Sequence, residues 1–420
     1  MGSAFWKTFA ELGGGVGMRV AVTGGAGFIG SNLVDALLER GDDVLVIDNL
    51  VSGKREYLNP AVSLATVDIT VDSEGLESAL RGRDVVFHTA ALTRIQRTID
   101  DPINSHATNV TGTLRVLKAA RDAGVRRVVY SSSSSVYGDQ PVLPLTEDMV
   151  PNPLNPYACQ KYMGELYARD FHRTFGLQTV CLRYFNVYGP RQVMEGAYRL
   201  VIGIFMDQMR NGEPLTIHGD GEQTRDFTWV GDVVRANMLA AESDRVGAGE
   251  PINVGAGQEV SINHIADLFG GPVVHTAPRG FDERFKRASV ERAREVLGWA
   301  PTVNVDEGIR RLLASAQLES MQPKSVPLGS SPPHASNASD ASAGSHASNA
   351  SNAPAAPAAS AASPASNSTA FSAGSTASNS PNPPTASTGP NASAPVVLAP
   401  ESSPAADPTA AQPRATQPRP

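Results

Sequence analysis

Tyr157 and Lys161 stand four residues apart in the string Pro156-Tyr157-Ala158-Cys159-Gln160-Lys161. On a helix that spacing puts both side chains on one face, and Pro156 suits the first turn of such a helix. A free phenol has a pKa of about 10 and is a poor base at neutral pH. A nearby ammonium and a helix N-terminus both favour its phenolate. The pair therefore reads as a proton-transfer device, with Tyr157 taking or giving a proton at a hydroxyl. Ser133 precedes it, in the run Ser131 to Ser135 after an apolar stretch. A hydroxyl there can share the hydrogen bond to the reacting oxygen. Tyr-x-x-x-Lys alone is a common accident, so its weight depends on what lies upstream.

Upstream is a glycine-rich turn, Thr23-Gly24-Gly25-Ala26-Gly27-Phe28-Ile29-Gly30. Gly24, Gly27 and Gly30 are spaced three apart, a variant of the more familiar G-x-G-x-x-G. Glycine permits the tight turn, lets backbone N–H groups approach a pyrophosphate, and packs the following helix on its strand. The helix N-terminus adds partial positive charge. Asp48 ends the next apolar run. A carboxylate there accepts hydrogen bonds from an adenosine ribose and repels a 2′-phosphate, which favours NAD over NADP. Lys161 would then also bind the nicotinamide ribose. Asp68-Ile69 ends the third run and is either the adenine edge or a solvated strand end. Asn109 bonds backbone near the nicotinamide or holds a turn. His88 reads as a packed strand-end residue.

These residues need elements to position them. Arg19 to Thr23, Asp43 to Ile47, Val62 to Val67, Val85 to Thr89 and Val128 to Ser131 are short apolar runs. Helical stretches lie between them, the clearest over Asn104 to Ala123. Strands alternating with helices predict an α/β fold: a Rossmann-type, doubly wound parallel sheet covered on both faces. A ligand then sits at the carboxyl ends of the strands, where all these motifs fall. The expected organisation is a flexible extension over 1–17, a dinucleotide-binding domain over 18–190, and a smaller mixed α/β substrate-binding lobe over 191–320. A Ser/Ala/Pro/Asn-rich tail over 321–420 follows. The tail holds more than half of the 31 prolines and one aromatic, Phe371. Such composition cannot offset the entropy of ordering, so disorder is expected there.

The net charge of −7 argues against a nucleic-acid partner or an anionic membrane surface. No apolar run is long enough to span a bilayer, and residues 1–17 lack a signal peptide's apolar core. A cytoplasmic location is expected, with Met18 a candidate functional start. Cys159 and Cys181 read as packing residues in a reducing compartment. No His/Cys cluster has metal-ligand spacing, so no metal is expected.

Taken in order, the strings TGGAGFIG (Thr23–Gly30), IDNL (Ile47–Leu50), HTAA (His88–Ala91), NVTGT (Asn109–Thr113), SSSSSVYG (Ser131–Gly138), YACQK (Tyr157–Lys161), LRYFNVYGPRQ (Leu182–Gln192), HGDGEQTRDF (His218–Phe227) and APRGFD (Ala277–Asp282) resemble one family. It is the extended short-chain dehydrogenase/reductase family, in its NAD-dependent epimerase/dehydratase branch acting on nucleotide sugars. The resemblance covers about Arg19 to Leu313. It implies that Ser133, Tyr157 and Lys161 are catalytic. It implies cofactor contacts from Gly24, Gly27, Phe28, Ile29, Gly30, Asp48, Asn49, Asp68, Ile69, Ala90, Ala91, Asn109 and Tyr184, besides Tyr157 and Lys161. It implies substrate contacts from Ser133, Tyr157, Asn186, Arg225, Arg279 and Asp282. Arginines suit the phosphates because their fork gives paired charge-assisted bonds.

Dehydratases of that branch place Asp-Glu directly after the strand-end hydroxyl, and decarboxylating relatives keep the Glu. Here both places are hydroxyls, Ser134 and Ser135. The resemblance therefore implies epimerisation of a UDP-sugar at carbon 4 through a 4-keto intermediate, with NAD as cofactor. Another nucleotide-sugar epimerase, a 4,6-dehydratase, or a non-catalytic NAD-bound scaffold recruiting partners through the tail are the alternatives. The resemblance also implies a homodimer through the helices around Asn104–Ala123 and Pro156–Phe175.

Overall fold

The computed structural model describes residues 17–192, 200–278 and 284–321. Nearly all of the expected N-terminal extension and tail lie outside the described residues, as do Arg279 and Asp282. Along the chain come β1 (Arg19–Thr23), α1 (Phe28–Arg40), β2 (Asp43–Ile47), β3 (Ser63–Ala65), α2 (Ser73–Leu80), β4 (Val85–His88), α3 (Ile95–Asp100), α4 (Pro102–His106), α5 (Thr113–Asp122), β5 (Arg127–Ser133), α6 (Pro156–Phe175) and β6 (Gln178–Tyr184). Then follow β7 (Val187–Tyr188), α7 (Val201–Asn211), β8 (Leu215–His218), β9 (Thr224–Arg225), β10 (Thr228–Trp229), α8 (Val230–Glu242), β11 (Ala248–Val254), β12 (Val260–Ser261), α9 (Ile262–Phe269), β13 (Val273–Thr276), α10 (Glu291–Leu297) and α11 (Val305–Met321).

Seven strands form one sheet in the order β11-β6-β5-β4-β1-β2-β3. Every pairing in it is parallel. The central strands are apolar runs without alternation because helices cover both faces. On one face Leu33 and Leu37 of α1, Val233 and Val234 of α8, and Trp299 pack against Val20, Val22 and Phe87. On the other, Leu76 of α2, Val116 and Leu117 of α5, and Phe171 of α6 pack against Ala21, Val86 and Val128. The strand order reverses between β1 and β4, so their carboxyl ends border the crevice where such sheets take ligands.

The Rossmann-type sheet expected from the motifs is present. The stretch read as a smaller lobe over 191–320 contributes to two cores. A second cluster gathers Tyr188, Phe205, Trp229, Ile265 and Ile309. β11, however, adds to the main sheet beside β6, and α8 and Trp299 cover its face. The reason is the open edge of β6. Its backbone groups would be unpaired without a further strand. The helix expected over Asn104 to Ala123 is also not one regular helix. A π-helical turn, Ala107–Gly112, separates α4 from α5. The extra residue in such a turn re-aims the side chains around it.

α6 is bounded by local chemistry. Asn155 caps its start by accepting from the Ala158 N–H at 2.9 Å, Pro156 occupies the first turn, and Gly176 closes it in the left-handed region at φ 72°. The helix lies close on β5. A Cβ on Gly164 would stand 2.2 Å from the Tyr130 hydroxyl. Gly164→Ala gains about 1 kcal/mol of helix propensity, but forcing the clash apart costs about 1–3 kcal/mol. We expect net destabilisation and a lower urea midpoint; an unchanged or raised midpoint would show that α6 can move off β5 freely.

Candidate active site

The carboxyl ends of four neighbouring strands carry the predicted residues. Thr23 of β1 pairs with His88 of β4, His88 with Tyr130 of β5, and Ser133 of β5 with Tyr184 of β6. Gly24 follows Thr23 at φ 69°. A Cβ there would come within 2.6 Å of the Ala90 backbone. A Cβ on Gly30 would stand 2.2 Å from the Gly24 carbonyl oxygen. The turn therefore brings the backbones after β1 and β4 together, and only glycine fits. The N-terminus of α1 at Gly27 has no side-chain cap. Phe28, Ile29 and Gly30 form its first turn, leaving N–H groups of the kind that hold a pyrophosphate.

The ends of β2 and β3 complete the cofactor side. Asp48 accepts from the Ala26 N–H at 3.0 Å and the Leu50 N–H at 2.8 Å, which ties the glycine turn to β2. Asn49 donates to Asp68 at 3.0 Å. Asp68 also accepts from Thr70, whose hydroxyl holds its carboxyl below the usual range. Ile69 is buried, with its side chain against Gly112. This glycine turn and acidic cluster fit a dinucleotide: an uncapped helix N-terminus faces where phosphate would lie, and carboxylates ring the strand ends where a ribose would.

Two side-chain relays pin the floor. Thr113 donates to the Asn109 carbonyl at 2.7 Å, so its oxygen accepts from His88 Nε2 at 2.9 Å. His88 Nδ1 then accepts from Thr23 at 2.7 Å. The imidazole is buried and pushed down to about 3, so it is neutral and structural, as its strand-end position suggested. Asn109 lies in the π-helical turn. Its side chain accepts from the Leu92 N–H at 2.8 Å and donates to the Leu92 carbonyl at 2.9 Å and to Gln160 at 2.8 Å. It thus ties the loop after Ala90 and Ala91 to α6, one residue before Lys161.

Tyr157 and Lys161 share a face of α6, both buried. Ser133 lies beside the Tyr157 phenol and favours its ionised form, and its hydroxyl meets Ser135 at 3.2 Å. Lys161 Nζ donates to the Ser131 carbonyl at 2.7 Å and stands 5.0 Å from the Tyr130 ring. The sequence led us to expect a phenol shifted toward phenolate by the ammonium. Burial wins instead: it pushes Tyr157 up to about 12, against a lowering by Ser133. It also pushes Lys161 down to about 7, against a raising by Glu165. Desolvation is a property of the packed protein, which helix spacing does not reveal.

The substrate side is less concentrated. The Tyr184 hydroxyl is committed to Ser131 at 3.0 Å and Asn237 at 2.9 Å, inside the core. Asn186 follows β6, half-buried, its carbonyl accepting from the Thr228 N–H. Arg225 lies on β9, half-buried, donating to the Thr224 carbonyl at 2.8 Å. Its neighbour Asp226 accepts three backbone N–H groups, from Ala256, Gly257 and Ala288. Arg279 and Asp282 cannot be placed among these, being outside the described residues.

Sequence reading missed Glu165 and Arg183. Glu165 lies four residues beyond Lys161 on the same face, so extending the spacing once more would have found it. No group of acidic, histidine or cysteine side chains among the described residues has metal-binding geometry. No described helix is long and apolar enough to cross a membrane.

Residues 20–255 match the NAD dependent epimerase/dehydratase family. UDP-glucose 4-epimerase of Mycolicibacterium smegmatis is 42% identical over 308 residues, 70% of this chain and 97% of that protein. UDP-glucuronic acid decarboxylase 1 of Arabidopsis thaliana is 34% identical, over 71% of this chain and 69% of that one. The solved UDP-N-acetylglucosamine 4-epimerase of Methanobrevibacter ruminantium, in complex with UDP-N-acetylmuramic acid, is 37% identical. It superposes with a TM-score of 0.69 over 73% of this chain and all of that one.

The glycine turn yields a direct test. Gly30→Ala cannot be accommodated without moving Gly24, so NAD affinity should fall at least about tenfold, roughly 1.4 kcal/mol, by calorimetry. Retained affinity would mean that this turn does not cradle the coenzyme.

Proposed function

We propose that this chain, which belongs to the NAD dependent epimerase/dehydratase family, interconverts UDP-hexoses by inverting carbon 4. NAD when bound supplies the hydride acceptor and donor. The chain's residues supply the proton chemistry and the geometry. In this proposal Tyr157 takes the proton of the sugar's 4-hydroxyl and returns it after the 4-keto sugar has turned. Ser133, beside the phenol, shares the hydrogen bond to the reacting oxygen. Lys161, one helical turn along the same face of α6, is placed to favour the phenolate when it carries its proton. Gly24, Gly27, Gly30 and Asp48 hold the dinucleotide. Asn186, Arg225, Arg279 and Asp282 take the UDP-sugar.

One observation carries this over dehydration or decarboxylation. The two residues after Ser133 are Ser134 and Ser135. Ser134 is buried, and Ser135 sits within hydrogen-bonding distance of Ser133. Eliminating water from carbon 6 needs an acid and a base beside the sugar; these two positions offer hydroxyls. Glu165, also bonded at this strand end, is fully buried in an ion pair with Arg183. The proposal includes a homodimer through α4, α5 and α6, where Ile103, Leu166 and Phe175 are exposed apolar side chains.

Purified protein given UDP-galactose should form UDP-glucose without change of mass. A 4-keto-6-deoxy product would displace the proposal in favour of a dehydratase. Tyr157→Phe should lower kcat by about 10²–10⁴-fold with NAD still bound; full turnover would remove Tyr157 from its assigned role. Sedimentation should show a dimer that Ile103→Asp weakens.

A further inference from the structure

One face of α6 carries a third ionisable residue beyond Tyr157 and Lys161. Glu165 follows Lys161 by four residues, one helical turn on, and is fully buried. Its Oε1 accepts from the Ser132 hydroxyl at 2.5 Å and from Arg183 Nε at 2.9 Å; its Oε2 accepts from the second Arg183 nitrogen at 2.7 Å. Ser132 lies between Ser131, whose carbonyl takes the Lys161 ammonium, and Ser133, which lies beside the Tyr157 phenol. Glu165 therefore holds the strand segment to which Lys161 is bonded and beside which Tyr157 lies.

The charges around Lys161 single out Glu165 further. On α6 the titratable neighbours are Tyr157 and Glu165. On β5 it is Tyr130, on β4 the neutral His88, and on β6 Cys181, Arg183 and Tyr184. On the side of α4 and the π-helical turn, Gln160 meets Ser105 and Asn109, which do not titrate. Burial holds His88 neutral and pushes the Tyr130, Tyr157, Cys181 and Tyr184 acids up, so they stay uncharged. Among these groups Glu165 is the carboxyl group, seated against Arg183 at 2.7 Å.

We propose that Glu165 is a positioning residue of this site, which keeps Lys161 in its ammonium form and fixes the Ser131–Ser133 strand end through Ser132. The residue acts through Lys161 and Ser132 and touches neither sugar nor coenzyme. Its consequence for the reaction rests on the epimerase reading; its consequence for Lys161 does not.

Breaking the Glu165–Arg183 pair from either side disturbs packing, but the two breaks have opposite electrostatic signs. Glu165→Gln removes the anion and leaves Arg183 as an extra cation, so Lys161 should lose its proton at lower pH. Arg183→Met leaves the anion uncompensated, so Lys161 should keep its proton to higher pH. A purely structural pair predicts no such opposition. The direct readout is the ¹³Cε resonance of Lys161 in lysine-labelled protein with its bound coenzyme, assigned by its loss in Lys161→Met and followed against pH. The midpoint should move down by about one unit in Glu165→Gln and up in Arg183→Met, and the alkaline limb of kcat with UDP-galactose should follow. Should Glu165→Gln fail to fold, the charge-free double variant Glu165→Gln/Arg183→Met is titrated instead, and its midpoint should also fall below that of wild type. Midpoints that stay put, or that move the same way in both single variants, overturn the proposal. Wild-type protein inactive on UDP-galactose would refute the epimerase reading, while the resonance would still test Glu165.

Discussion

Everything in this site turns on a buried ammonium. Lys161 is almost wholly withdrawn from solvent, and an ion taken from water into a protein interior carries a penalty of several kcal/mol. Three features offset it: the Ser131 carbonyl at 2.7 Å, the Tyr130 ring beneath it, and the Glu165 carboxylate one turn along. The first two require α6 to lie hard against β5, where a side chain at Gly164 has no room. The requirement that makes the cation tolerable thus also fixes the distance between the helix bearing Tyr157 and the strand bearing Ser133.

The support spreads outward from there. Arg183, paired with Glu165, stacks over the Tyr137 ring at 4.6 Å. The Tyr137 hydroxyl donates to Asn253 of β11 at 2.6 Å, and the Asn253 N–H donates to Glu147 at 2.8 Å. Asn253 also reaches the Leu145 carbonyl at 2.9 Å. One polar chain therefore joins α6, β5, β6, β11 and the loop before α6. Arg183 Nη1 is the one buried nitrogen of this polar chain without a hydrogen-bond partner; the remaining bonds reinforce one another. On the other side Asn109 clamps the loop after β4 to Gln160. α6 is tied in at both flanks.

What was legible in the sequence was local. The glycine turn announces itself because its three glycines answer to contacts within eight residues and one neighbouring strand end. Tyr157 and Lys161 are readable because four residues make a helical turn. The placing of His88 as a packed residue follows from its position at a strand end. Three things depended on non-local packing and were not legible. β11 completes the sheet from far along the chain, because the edge of β6 needed a partner. The π-helical turn around Asn109 answers to Leu92 and Gln160, which lie on other elements. The proton affinity of Tyr157 runs opposite to the expectation from spacing, because burial outweighs the lowering by Ser133. Glu165 is the instructive miss: its spacing was readable, but its importance comes from Ser132 and Arg183 on two strands.

The central claim is that hydride leaves carbon 4 and returns to carbon 4 within one closed site. It is tested most directly with UDP-galactose deuterated at carbon 4, the product being located by NMR. The account predicts UDP-glucose that retains the deuterium at carbon 4. Deuterium appearing at carbon 6, or lost to water, would contradict it.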